Sequence, residues 1–292
     1  MERRAGRTLL RAREKALTEM ARLAVIGLVG KSLFFDVPRF HAGGETIVAK
    51  TLHEEWGGKG FNQAVAAARQ DAAVSFLGAV QAADVAAVKA CCAREGVAAT
   101  LVAKKGPTAT AAILTDGTGE TRVTVCPGAA LVASDVDRFA GAIALADFLL
   151  LNNEVPESVN LAAVEIARQQ GVRVIFNPAP ARPLPKAIRE GVAIFTPNAF
   201  EEAALGATTG EVVTTLGAAG CRIRSTGETI PAPPAKAVDS TGAGDTFNAV
   251  LAVRLAEGKS LRDACVAANA AAAASVARRY VLPSLPYRND TW

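Results

Sequence analysis

Short apolar runs alternate with alanine-rich segments of helical period along most of the chain. The runs at 23–28, 74–77, 148–151, 172–176, 194–196 and 212–216 are nearly continuous, as in strands buried on both faces of a parallel sheet. The segments 62–69, 84–94, 134–144, 157–170, 244–256 and 261–278 read as helices. Such alternation predicts an α/β fold with a doubly wound, mostly parallel sheet. Two stretches break the pattern. Residues 45–53 alternate polar and apolar, and 101–126 reads as strands turning at Asp116-Gly117, with no crossover helix between them. They predict a small antiparallel β lid, from about 31–56 and 100–126, standing off the main sheet. No internal repeat or low-complexity linker interrupts residues 20–292, which read as one domain behind a basic extension at 1–19.

At 292 residues and 30.1 kDa the chain can bury a core that needs neither metal nor disulfides. Half of the residues are hydrophobic and 21% charged, which excludes a disordered chain. Aromatic residues are only 5%, which favours helices on an aliphatic sheet over an aromatic nucleic-acid platform. The net charge of +4 is concentrated at one end. Residues 1–19 hold six basic and three acidic residues, and the rest holds 26 basic against 25 acidic. No basic patch for a nucleic acid is expected. Met20 opens a stretch that reads like a natural start. The preceding residues read as an upstream mis-start, an Arg-rich targeting sequence or a solvated helix, and they lack the apolar region of a secretory signal. No apolar run is long enough to span a membrane. Five cysteines without a CxxC pair are the usage of a reducing cytoplasm, with thiols as small core residues. His41 and His53 are too few for a Cys/His zinc site and read as lid or surface residues, and Trp56 reads as packing before a glycine loop.

Three glycine motifs carry candidate chemistry. Gly27 to Ser32 ends in Gly-Lys-Ser after a strand, yet the residue five before Gly30 is Val25, so a phosphate-wrapping P-loop is not formed; Val29 also breaks the dinucleotide pattern. Gly57-Gly58-Lys59-Gly60-Phe61-Asn62-Gln63 lets backbone approach a ligand, with a charge at Lys59 and a paired donor and acceptor at Asn62. Its plain alternative is a tight turn before a helix. Asp239-Ser-Thr-Gly-Ala-Gly-Asp245 runs into a helix, so its small residues expose free N–H groups and the positive dipole end as an anion hole. A carboxylate beside such a hole suits phosphoryl transfer, the acid taking a hydroxyl proton while N–H groups hold the transferring group. The alternative for Asp245 is an ordinary helix-start charge.

The segments GGKGFNQAVAAAR and DSTGAGDTFNAVLAVRLAEG resemble the two signatures of the ribokinase-like (phosphofructokinase-B) carbohydrate kinase family. Further similar pieces follow in the family's order, at 127–129, 152–156, 176–181, 196–201, 214–220 and 282–286. The resemblance implies an ATP-dependent sugar kinase, with Asp245 as base and Gly242, Ala243 and Gly244 over the phosphoryl group. It implies that Gly58, Lys59 and Asn62 hold sugar hydroxyls, with Glu154 on the opposite wall. Asn198 and Glu201 match a pattern associated with Mg²⁺ and its waters. Thr215, Gly217 and Asn269 would lie along the nucleotide. Asp239, Thr241 and the loop before Ser284 match the region of an activating K⁺. The β lid would close over the site, excluding water, and pair two chains into a homodimer. A cytoplasmic enzyme with neither nucleic-acid nor membrane partners is the expectation.

Departures bear on the acceptor. Gly30 and Ser32 stand where the family pattern has a sugar-gripping Asn and Asp, so ribose leads without its usual acceptor groups. Lys31 and Phe61 offer an alternative grip for a carboxylate or apolar group. The stretch 201–212 is short for a parallel crossover, Gln81-Ala-Ala-Asp84 departs from a Gly-Asp-Asp pattern, and Tyr280 replaces a glycine. A nucleoside kinase of the same superfamily and a non-catalytic sugar or nucleotide sensor stay open as other readings.

Overall fold

The computed structural model describes residues 20–118 and 120–290, so residues 1–19 and the reading made of them lie outside it. The chain begins with β1 (Arg22–Ile26), β2 (Gly30–Asp36), β3 (Thr51–Gly57), α1 (Lys59–Ala68), β4 (Ala73–Gln81), α2 (Val85–Arg94), β5 (Val97–Lys104), β6 (Ala109–Thr115) and β7 (Thr121–Cys126). It continues with α3 (Ala140–Ala144), β8 (Phe148–Asn152), α4 (Glu157–Gln170), β9 (Arg173–Asn177), α5 (Lys186–Gly191), β10 (Ile194–Phe195) and α6 (Ala199–Leu205). The last elements are β11 (Glu211–Thr215), β12 (Cys221–Ile223), β13 (Thr229–Ile230), α7 (Ala243–Ala256) and α8 (Leu261–Ser275).

One sheet runs in the order β13-β12-β11-β10-β9-β8-β1-β4-β5. It is parallel from β5 to β11, and β12 and β13 add an antiparallel edge. Alternate side chains of each strand enter opposite cores, because successive residues of a strand face opposite ways. Leu23, Val25, Phe76, Phe148 and Leu150 pack with α1, α2, α7 and α8 on one face. Ala24, Ile26, Leu77, Leu149 and Leu151 pack with α4, α5 and α6 on the other. The result is the doubly wound architecture that the alternation of runs predicts. Helix α7 is buried from Asp245 to Val253, sandwiched between α1 and α8, so its N-terminus is held rigidly at the carboxyl ends of the strands.

The second sheet has the order β3-β2-β6-β7. Its antiparallel pairs β2–β3 and β6–β7 are joined by a parallel pairing of β2 to β6. The hairpin turn lies where Asp116-Gly117 predicts it, with Asp116 Oδ1 accepting from the Thr118 N–H at 2.8 Å.

Several boundaries differ from expectation. Residues 101–104 belong to β5 of the main sheet, so this half of the lid starts at β6. Only residues from Thr51 onward of the alternating stretch are strand, and β2, inside the expected lid but not read as a strand, is with β6 one of its two central strands. The expected helix at 134–144 is a 3₁₀ segment (Ala133–Phe139) leading into one turn of α3, because the Asp135 carboxylate accepts from the Val132 N–H at 2.8 Å and tightens the start. Helix α8 stops at Ser275, where the Val276 carbonyl accepts from the N–H groups of Val238 at 2.7 Å and Asp239 at 3.1 Å. The short crossover is sufficient, since α6 needs only seven residues. Cys91, Cys92, Cys221 and Cys265 are buried as expected, with Cys91 and Cys92 in the same core; Cys126, on the outermost lid strand, is exposed.

Candidate active site

Two helix N-termini meet at the carboxyl edge of the main sheet. At the first, Gly58 has φ 103°, and a Cβ there would strike Leu28 at 2.6 Å. The turn therefore requires glycine, and α1 starts directly after it. The Lys59 N–H donates to Glu154 Oε2 at 2.6 Å, while the Glu154 N–H donates to Asn152 Oδ1 at 3.0 Å beyond the end of β8. At the second, Gly242 has φ 83° and Asp245 lies buried in the first turn of α7. Asn62 Nδ2 donates to Asp245 Oδ2 at 2.9 Å, and Gln63 Nε2 donates to Oδ1 at 3.2 Å. The first turns of α1 and α7 are thus tied to each other through one carboxylate.

The charges of this cluster are coupled. Burial pushes the Asp245 carboxyl above its ordinary range, against Lys59 and the two amide donors. Burial likewise pushes Glu154 up to about 7, with Lys59 opposing and Asp245 reinforcing the rise. Burial alone would lower the Lys59 ammonium, but facing Asp245, Glu154 and Glu201 hold it above its usual value. A buried carboxylate with a raised proton affinity is a better base near neutrality than an exposed one. Because folded Glu154 keeps its proton where the unfolded chain has lost it, its contribution to stability declines as pH rises from 4.5 to about 7. Glu154→Gln is therefore expected to flatten the fall in melting temperature across that interval, as thermal unfolding at a series of pH values would read.

On the other side of the first turn of α7 lies a cavity of about 420 Å³, lined by Ala243, Gly244, Phe247, Thr215, Gly217 and Asn269. Asn269 is fixed by donating Nδ2 to the Ile230 carbonyl at 2.9 Å. The turn itself is fixed by Asn248, whose Nδ2 donates to the Gly244 carbonyl at 2.8 Å and whose Oδ1 accepts from Thr196 Oγ1. Asn198 and Glu201 form a capping box at the start of α6: Glu201 N–H donates to Asn198 Oδ1 at 2.8 Å, and Asn198 N–H to Glu201 Oε2 at 2.9 Å. Among the described residues no three His, Cys, Asp or Glu side chains stand together as a metal cage. A lone carboxylate fits a Mg²⁺ that keeps its waters and is held through phosphates.

Asp239 shapes the loop before the hole. Its Oδ1 accepts from the Thr241 N–H at 2.9 Å and its Oδ2 from the Tyr280 N–H at 3.0 Å. Ser284 is buried nearby in sequence to that segment, donating Oγ to the Val281 carbonyl at 2.8 Å. Gly30 and Ser32 lie on β2 beside the glycine loop at 57–60, Gly30 opposite Gly57. The space above Gly57 is bounded by Ser32 Oγ and by Asn62 Oδ1, a buried acceptor without a partner. Two expectations are corrected. Lys31 is not free to meet an anionic acceptor, because it pairs with Asp84 at 3.4 Å and lies over Trp56. Phe61 does not reshape the pocket, because it is fully buried against Phe76 in the core. Phe61→Leu is therefore expected to lower stability by about 1 kcal/mol in denaturant titration while leaving the acceptor KM unchanged. Sequence reasoning assigned no role to Gln63, although it stands in the same glycine motif next to Asn62. Asn248 was likewise missed, three residues after Asp245 on α7.

Comparison with known proteins gives one consistent answer. The family model for pfkB family carbohydrate kinases matches residues 20–288. The chain is 33% identical to a ribokinase of Haemophilus influenzae, covering 92% of this chain and 96% of that one. Its structure resembles a ribokinase of Thermotoga maritima with a TM-score of 0.82 at 31% identity, over 92% of this chain and 97% of the other. It also resembles an Arabidopsis thaliana ribokinase complexed with ribose and ATP, with a TM-score of 0.79 at 28% identity, over 92% and 96%.

Proposed function

The chain belongs to the pfkB family of carbohydrate kinases and is an ATP-dependent sugar kinase, and we propose that ribose is its leading acceptor and Asp245 its base. One observation carries the assignment of roles. The first turn of α7 presents Ala243 and Gly244 to the large cavity, while Asp245, next in sequence, is bound to Asn62 and Gln63 of the acceptor loop. A phosphoryl donor in the cavity and a hydroxyl on the acceptor loop then meet at the same helix end.

In this reading Asp245 takes the proton of a primary hydroxyl. The oxygen attacks the γ-phosphorus in line, the bond to the bridging oxygen breaks, and ADP leaves. N–H groups of Gly242, Ala243 and Gly244 hold the charge spread over the transferring group. Gly58, Lys59 and Ser32 line the acceptor, and the orphaned Asn62 Oδ1 accepts from one of its hydroxyls. Glu154 and Gly30 complete its walls. Thr215, Gly217 and Asn269 line the nucleotide, with Asn198 and Glu201 at the phosphates. Mg²⁺, held by phosphates and water with Glu201 behind a water, would neutralise charge on the phosphates. Asp239, Thr241 and Ser284 are the seat we assign to a monovalent cation. The lid's outer strands leave Leu52, Val123 and Val125 exposed, which supports a homodimer paired through the lid.

The test is ADP release from purified protein with Mg²⁺-ATP and K⁺ across ribose, deoxyribose, fructose, tagatose, fructose phosphates, 2-keto-3-deoxygluconate and nucleosides. The largest kcat/KM on ribose supports the reading. A larger value on a nucleoside supports the second reading, which the small Ser32, standing where the family pattern has a larger sugar-gripping residue, favours. Silence on every acceptor would overturn the roles assigned here.

A further inference from the structure

The lid meets the core closely at one short segment, residues 279–282. From β2, Asp36 holds Arg279, whose Nη1 donates to Oδ2 at 2.9 Å and whose Nη2 donates to Oδ1. From β3, Glu55 Oε1 accepts the N–H groups of Val281 at 2.8 Å and Leu282 at 3.3 Å. Between these contacts the His53 ring stacks on the Tyr280 ring, with centroids 3.8 Å apart and planes inclined by 16°. Phe34 meets the same tyrosine edge-on at 5.3 Å.

The other side of this segment reaches the phosphoryl loop. The Tyr280 N–H donates to Asp239 Oδ2, and Val281 fills the space that a Cβ on Gly242 would need, 2.7 Å from its Cγ1. Residues 280 and 281 therefore lie directly between the lid and the start of α7. Tyr280 also holds φ at 66°, a left-handed conformation that is costly for any residue with a Cβ. Glycine would adopt it without strain. A strained aromatic persists where its surroundings over-determine it, and here the surroundings are the lid's own rings.

We propose that Tyr280 is a positioning residue that transmits lid closure over the acceptor to the anion hole. Strand β3 runs from His53 and Glu55 straight into Gly57, Gly58 and Lys59, so closing the acceptor loop carries the stacked rings with it. The Tyr280 and Val281 contacts then fix Asp239 and Gly242. An enclosed acceptor holds the lid down and so holds these contacts in place, and water is a poor substitute because it does not. This inference rests on the roles assigned above to Gly242 and the acceptor loop.

The test compares Tyr280→Gly with Tyr280→Phe. Tyr280→Gly relieves the backbone strain and removes the stack. It is expected to keep or raise the melting temperature, lower kcat and raise the acceptor KM each about tenfold, and release more ADP than sugar phosphate formed. Tyr280→Phe keeps the ring and is expected to match the wild type in all of these. Amide hydrogen exchange at Val281 and Leu282, read without any substrate, is expected to quicken at least tenfold in Tyr280→Gly alone. Wild-type exchange and wild-type coupling in Tyr280→Gly would overturn the proposal, as would equal impairment of both variants. Because the exchange readout needs no turnover, its failure is distinct from failure of the assigned acceptor.

Discussion

Asp245→Asn is expected to lower turnover by at least about a hundredfold while folding and nucleotide binding survive, the usual scale for removing a general base being about 10²–10⁴-fold. The fold tolerates the change for a specific reason. Both carboxylate oxygens now accept amide protons, from Asn62 and Gln63. An asparagine offers one oxygen and one NH₂, so one of those amides must turn over. Asn62 can do so, because its Oδ1 is buried without a partner and would gain one, at the expense of its contact with an acceptor hydroxyl, so the acceptor KM should rise as well. The substitution also removes a carboxylate whose burial already opposes its charge. Melting temperature and ATP affinity by calorimetry should therefore stay near wild type, and the loss should appear in kcat. Near-normal turnover would show that the proton goes elsewhere.

Gly242→Val should be nearly as damaging, for a different reason. The residue caps α7 at φ 83°, where a branched side chain is strongly disfavoured, and Val281 occupies the space the new Cβ needs. Either the first turn of α7 or the 280–282 segment must move. A displaced hydrogen-bond donor in such a hole costs about 10²–10³-fold in turnover, and we expect a loss of about a hundredfold with a destabilisation of about 1–2 kcal/mol. Gly258→Ala is the control. It has a nearly identical φ of 81° but faces open space, so it should lose stability without losing turnover. Equal turnover in the two variants would detach Gly242 from the hole.

What the sequence discloses follows physical range. Strands buried on both faces and the helices between them are local patterns, and the two cores form where those patterns place them. Asp245 and the glycine loop at 57–60 could be singled out for the same reason, since a glycine run that opens a helix is also a local pattern. Lys31 was misread because its partner, Asp84, lies on a different element far along the chain. Phe61 was misread because neighbourhood in a motif does not say which face of α1 a side chain takes; the helix turns it into the core. Strand β2 was not read as a strand because the small Gly30 and Ser32 take buried positions while Leu33 and Phe35 lie on the other face, so its alternating burial does not show as alternating hydropathy. The contacts of Tyr280 with His53 and Phe34 join three segments distant in sequence, which no local period records.

The outermost lid strand carries the chain's lone exposed thiol, Cys126, the other four being buried. A maleimide fluorophore would thus label a single place, on the lid and remote in sequence from Asp245. Its emission then becomes a stopped-flow clock for lid motion, independent of any coupled assay. If two chains join through their lids, the same dye brings two labels close together, and self-quenching on raising protein concentration would measure the dimer's dissociation constant without further engineering.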